Sequence, residues 1–161
     1  MMIMEKKLTL DQLNNVSEID VVYKRKATVK VSDRPLIQSS YDAYQVFLHY
    51  WNDGKIELLE EFKVLFLNRS NRVLQLISDS SGGITGTVAD PRLILAAALK
   101  VGTISLILCH NHPSGGTRPS KADEELTQKI KGGAAFMDIK VLDHLILTPE
   151  TYFSFADEGL L

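Results

Sequence analysis

The chain has 161 residues, 45% hydrophobic and 24% charged, with a formal net charge of -2. That balance excludes fibrous, disordered and membrane-spanning classes, and the slight negative charge provides no global field to draw in phosphate backbones. A single cysteine, Cys109, excludes an internal disulfide scaffold and four-cysteine zinc modules, and it fits a reducing, cytoplasmic setting.

The amino terminus meets Glu5, Lys6 and Lys7 before any apolar stretch can build, so no export signal is expected. The most apolar runs, 93–99 and 104–109, fall far short of the ~20 residues a membrane helix needs. Residues 18–31, rich in Val and Thr, predict one long or two short strands. Positions 21–35 carry five Lys or Arg against one Asp, a pattern that suits a solvated edge strand and, as a rival reading, a small phosphate-binding arm. Residues 39–52 place Ala43, Tyr44, Phe47, Tyr50 and Trp51 at helical spacing, with Ser39 or Ser40 as cap and a candidate core face of aromatics. His49 is expected on the surface or packed.

Residues 60–67 and 72–78, joined by the polar turn 68–71, predict a β-hairpin. A glycine loop at 81–86 follows. Asp90-Pro91 then caps a helix running to Lys100, with Pro91 in the first turn and Gly102 as its stop. The run 103–109 (TISLILC) is continuously apolar and β-branched, as in a strand covered on both faces, and Cys109 at its end is expected to be a small apolar filler. After the loop HNHPSGGTRP, residues 120–131 predict a helix with Ser120 as N-cap and Asp123 completing a capping box. Residues 139–147 predict a further strand, and 152–155 a short extended segment. Such alternation predicts an α/β fold, a mixed sheet flanked by helices, with residues 1–38 as a strand-rich extension and 39–161 as the main domain.

The chemistry concentrates at 110–123. In extended backbone His110 and His112 project to one side about 7 Å apart at Cα, a chelating pair. Gly115, Gly116 and Pro119 let the loop fold over, so that Asp123 can point back from the first helical turn. Two imidazoles and a carboxylate leave a fourth tetrahedral position on zinc for water, whose pKa the metal lowers toward ~7. A carboxylate from another segment is then needed as general base, and Glu60 and Glu61, at the lip of the apolar strand 62–67, are both candidates. His144 after Asp143 is expected to be a core group or a hydrogen-bond partner of a ligand rather than a ligand itself.

The blocks His110-Asn-His112-Pro-Ser-Gly, Pro119-Ser120-Lys-Ala-Asp123, 136–144 (FMDIKVLDH) and 154–157 (SFAD) resemble the RadC family of JAB/MPN-domain proteins, whose metal motif is called JAMM. The resemblance covers about residues 39–161. It implies a three-layer αβα fold like that of the cytidine deaminases and a zinc-dependent hydrolase site. Carried over residue by residue, it implies that His110, His112 and Asp123 bind zinc, that Ser120 stabilises the oxyanion, and that Glu60 handles the water's proton. Relatives include isopeptidases that remove ubiquitin-like modifiers, so the implied reaction is hydrolysis of an amide bond in a peptide or protein substrate. Longer RadC proteins carry an amino-terminal helix-hairpin-helix segment associated with DNA binding, whereas residues 1–38 here read as strand. That departure weakens the repair role associated with the family. A nucleic-acid-associated repair accessory protein, with a structural or vestigial metal site, is the alternative expectation, resting on the basic strand at 24–30 and distinguishable by the salt dependence of any binding through it.

Overall fold

A computed structural model describes residues 9, 10, 14, 29–81 and 89–161. The strands expected at 18–31 fall, up to Thr28, outside the described residues, as does the glycine loop past Ser81. Val31–Asp33 form a single 3-10 turn, and Leu36 makes an isolated antiparallel bridge to Arg72.

The first helix, α1 (Ser40–His49), starts at Ser39. The Ser39 side chain accepts from the Asp42 N–H while Asp42 accepts from the Ser39 N–H, a reciprocal capping box. Ala43, Tyr44 and Phe47 are buried, and Trp51 joins them one turn on. Tyr50, expected in that core, is instead 59% exposed: the helix ends at His49, and the turn that follows gives the inward position to Trp51. His49 lies at the surface, edge-on to Tyr50.

The hairpin β1 (Glu61–Leu67) and β2 (Val73–Ser81) forms around Asn71, which adopts positive φ, and the Asn68 side chain, which accepts the Ser70 and Arg72 N–H groups. Helix α2 (Pro91–Val101) is capped by Asp90 and ends at Gly102 in the left-handed region, as the Asp-Pro and Gly signals predict. β3 (Ser105–Asn111), helix α3 (Lys121–Phe136), β4 (Lys140–Leu147) and β5 (Tyr152–Ser154) complete the chain. The sheet order is β2-β1-β3-β4-β5, parallel between β3 and β4 and antiparallel elsewhere.

Every residue of β1 and β3 is buried, because helices cover both faces of these central strands. Odd-numbered side chains such as Leu65, Ile107, Cys109 and Leu145 pack with α1, and even-numbered ones such as Val64, Phe66, Leu106 and Leu108 pack with α2 and α3. The result is the expected mixed sheet between helical layers. No helix among the described residues is long and apolar enough to cross a membrane.

Helix α3 runs five residues past its expected end at Lys131, through Gly132 and Gly133. Burial of Ile130 and Ala134 on one face outweighs the glycine cost, and the helix stops where Asp138 takes positive φ and the Ile139 N–H reaches back to the Ala134 carbonyl. The two glycines differ. A Cβ on Gly133 would lie 2.7 Å from Leu95 Cδ1 on α2, whereas one on Gly132 would meet nothing within 4 Å. Gly132→Ala is therefore expected to stabilise the fold by about 0.5–1 kcal/mol, read by denaturant unfolding, with Gly133→Ala losing that gain to the clash.

Candidate metal centre

The site forms where β3 ends. His110 pairs in register with Phe62 of β1 and Ile146 of β4, and is only 1% exposed. Its even-numbered position turns the ring toward the α3 side of the sheet, parallel to the Phe62 ring with centroids 6.2 Å apart. Beyond the strand, the Gly115 N–H donates to the His112 carbonyl, a turn closed with Gly115 at positive φ. The loop returns to Ser120, the N-cap of α3. Asp123 Oδ2 accepts from the Ser120 N–H at 2.7 Å and from Ser120 Oγ at 2.7 Å, so the capping box fixes the carboxylate facing the histidines.

His110 Nε2 and His112 Nε2 lie 3.0 Å apart. Asp123 Oδ1 is 3.3 Å from His110 Nε2, and Oδ2 is 3.7 Å from His112 Nε2. One ligand atom from each of the three residues falls within 4.8 Å of the others. Two ligands at 2.0–2.1 Å on a tetrahedral ion lie about 3.3 Å apart, so the spacing matches a common divalent ion.

Hydrogen-bond direction supports the same fit. His112 Nδ1 sits 2.8 Å from the Gly116 carbonyl, which can only accept, so Nδ1 carries the proton and the neutral ring bears its lone pair on Nε2. His110 is fixed from farther away. Thr127 Oγ1 donates to the Asp123 carbonyl at 2.6 Å and must therefore accept from His144 Nδ1–H, also at 2.6 Å. His144 Nε2 is then an acceptor for His110 Nδ1–H at 2.8 Å. Burial, reinforced by the His110 ring, pushes the His144 pKa well down and keeps that ring neutral. His110 Nε2 is left with a lone pair aimed at the cluster. Two lone pairs 3.0 Å apart beside a carboxylate need a cation between them, either a proton on His112 or a metal ion, and a nitrogen and oxygen donor set suits zinc.

The charges agree with this arrangement. Burial alone would raise the Asp123 pKa, but the neighbouring His110 and His112 rings and the Ser120 hydroxyl hold it far below the usual carboxylate range. The His112 pKa is raised, first by its hydrogen bond to Asp123, with smaller contributions from the Gly116 carbonyl and the charge of Glu60.

Glu60 and Glu61 part company at the start of β1. Glu60 is half-buried within electrostatic reach of His112. Glu61 faces the other side of the sheet, 3.6 Å from Lys63, whose ammonium lies over the Trp51 ring. Ser120 occupies its cap as expected, with Oγ–H directed to Asp123, so donation to an oxyanion would require that hydroxyl to rotate off the carboxylate. Cys109 is fully buried on the opposite face of β3, where desolvation raises its thiol pKa.

Two residues went unnoticed in the sequence. The fully buried Asn111 side chain accepts the Glu61 N–H at 2.7 Å and donates to the Ile56 and Leu59 carbonyls at 2.6 and 2.8 Å, tying the segment that carries Glu60 to the ligand strand. Thr127 was detectable in principle, since it follows Asp123 by four residues on the same helix face. The SFAD block also acquires a reason: Ser154 Oγ and the Ala156 N–H bind the buried Asp143 carboxylate, and this seats Phe155 flat against His144 with centroids 4.8 Å apart.

A family model described as RadC-like JAB domain matches residues 37–160. The chain is 54% identical over 101 residues to a UPF0758 protein of Flavobacterium johnsoniae, covering 63% of this chain and 44% of that one. It is 46% identical over 103 residues to a UPF0758 protein of Porphyromonas gingivalis, covering 63% and 45%, and 42% identical over 124 residues to one of Acidovorax sp. strain JS42, covering 75% and 51%. The chain thus spans about half the length of these curated relatives. With a matching family model over most of its length and the expected mixed sheet, the chain belongs to the RadC family of JAB-domain proteins.

Proposed function

We propose that this domain is a zinc-dependent hydrolase that cleaves an amide bond, in a peptide or isopeptide, by an activated water. The observation that carries the reading is the convergence of His110 Nε2, His112 Nε2 and the Asp123 carboxylate, with both imidazoles presenting lone pairs and Glu60 close by. His110, His112 and Asp123 would hold the ion. When bound, zinc acidifies a water and polarises a carbonyl. Glu60 takes up the proton of the attacking water and returns it to the leaving amine. Ser120 holds Asp123 in line and, with its hydroxyl turned outward, donates to the oxyanion.

The test is elemental analysis of the purified chain, with His112→Ala as control, followed by incubation with a peptide and isopeptide library. One zinc per chain, lost in the control, together with zinc-dependent cleavage is the expected result. A chain that takes up no stoichiometric zinc, or that binds zinc and cleaves no member of the library, defeats the reading.

A further inference from the structure

We propose that Thr127 and His144 are positioning residues that fix the tautomer of His110, so that its lone pair faces the cluster before any ion arrives. The proposal rests on the reading of His110 as a ligand through Nε2.

The four groups form a closed path through the core. It starts at His110 Nδ1, crosses His144, passes Thr127 Oγ1 and ends on the backbone carbonyl of Asp123, so His110 and Asp123 are tied together from behind. His144 and Thr127 are both fully buried, and the rings of Phe62 and Phe155 flank His144. Water has no place in this path, so each proton position dictates the next. The direction is set at one end only. The Asp123 carbonyl accepts, Thr127 donates to it, and the remaining protons follow in order without any change of charge.

Removing the hydroxyl removes the director. In Thr127→Val, a near-isosteric change, His144 Nδ1–H would lack a buried acceptor. A buried donor without a partner is disfavoured, so the His144 proton moves to Nε2, donates to His110 Nδ1 and places the His110 proton on Nε2, facing the cluster. That tautomer cannot ligate.

The measurement is long-range proton–nitrogen NMR correlation on the histidine rings of the chelator-treated full chain, paired with zinc affinity from competition with a chromophoric chelator. Wild-type protein is expected to show His110 protonated on Nδ1, Thr127→Val to show the Nε2–H form, and Thr127→Ser to restore the first. Zinc affinity should fall about 10–100-fold in Thr127→Val and recover in Thr127→Ser, the range for losing an outer partner of a ligating histidine. An unchanged His110 tautomer in Thr127→Val, or unchanged zinc affinity despite a reversed one, overturns the proposal. A wild-type chain with the Nδ1–H tautomer and no zinc uptake would instead overturn the proposed hydrolase, because the tautomer is read without metal.

Discussion

Glu60→Gln is expected to lower turnover by about 10²–10⁴-fold while leaving one zinc per chain, the range for losing a positioned general base. Glutamine keeps the volume and polarity of the side chain but cannot take up a proton at neutral pH. Glu60 is no part of the His110, His112 and Asp123 cluster, so the binding groups stay in place. A second consequence needs no substrate. The charge of Glu60 helps raise the His112 pKa, so Glu60→Gln should lower that pKa in the metal-free chain, measurable by NMR titration of the ring. Glu61→Gln provides the contrast, since Glu61 lies on the opposite face beside Lys63 and its loss should affect stability while sparing turnover. Undiminished hydrolysis by Glu60→Gln would remove Glu60 from the chemistry.

Much of this architecture was legible because local signals and burial point the same way. The apolar run ending at Cys109 forms a strand covered on both faces, and Asp90-Pro91, Gly102 and the Ser120/Asp123 box mark helix ends where the backbone needs them. Failures arose where tertiary packing overrode a local preference. Gly132-Gly133 does not end α3, because the inner face is held by Ile130 and Ala134 and Gly133 admits the side chain of Leu95. Tyr50 keeps the spacing of a core residue but follows the last helical turn. At the site, the two histidines and Asp123 could be read from alternation and capping alone, whereas the role of Asn111 could not. Its partners lie at Ile56, Leu59 and Glu61, fifty or more positions away, and no periodicity encodes a contact of that range. The separation of Glu60 from Glu61 became visible only once the pleat of β1 was oriented by Phe62 against His110.

Asp123→Asn should abolish stoichiometric zinc binding and also change how the metal-free chain responds to pH, by two effects of opposite sign. The Asp123 pKa is depressed in the folded chain, so its contribution to stability is fully present above the unfolded value of about 3.9 and is lost as pH falls through the folded value. The His112 pKa is raised, so its contribution is fully present below about 6.5 and is lost as pH rises through its folded value. The wild-type advantage over Asp123→Asn should therefore peak between roughly pH 4 and 6.5 and shrink on both sides. Thermal unfolding midpoints across pH in the presence of chelator measure it. Taking the difference between the two proteins removes Asp143, whose buried carboxyl is raised and would otherwise distort the acid limb. Zinc should reverse the alkaline limb in the wild type alone, because the ion replaces the His112 proton and its affinity climbs as that proton becomes easier to lose. A wild-type advantage that is flat across this range, or an alkaline limb indifferent to zinc, would mean that Asp123 and His112 do not share a cation.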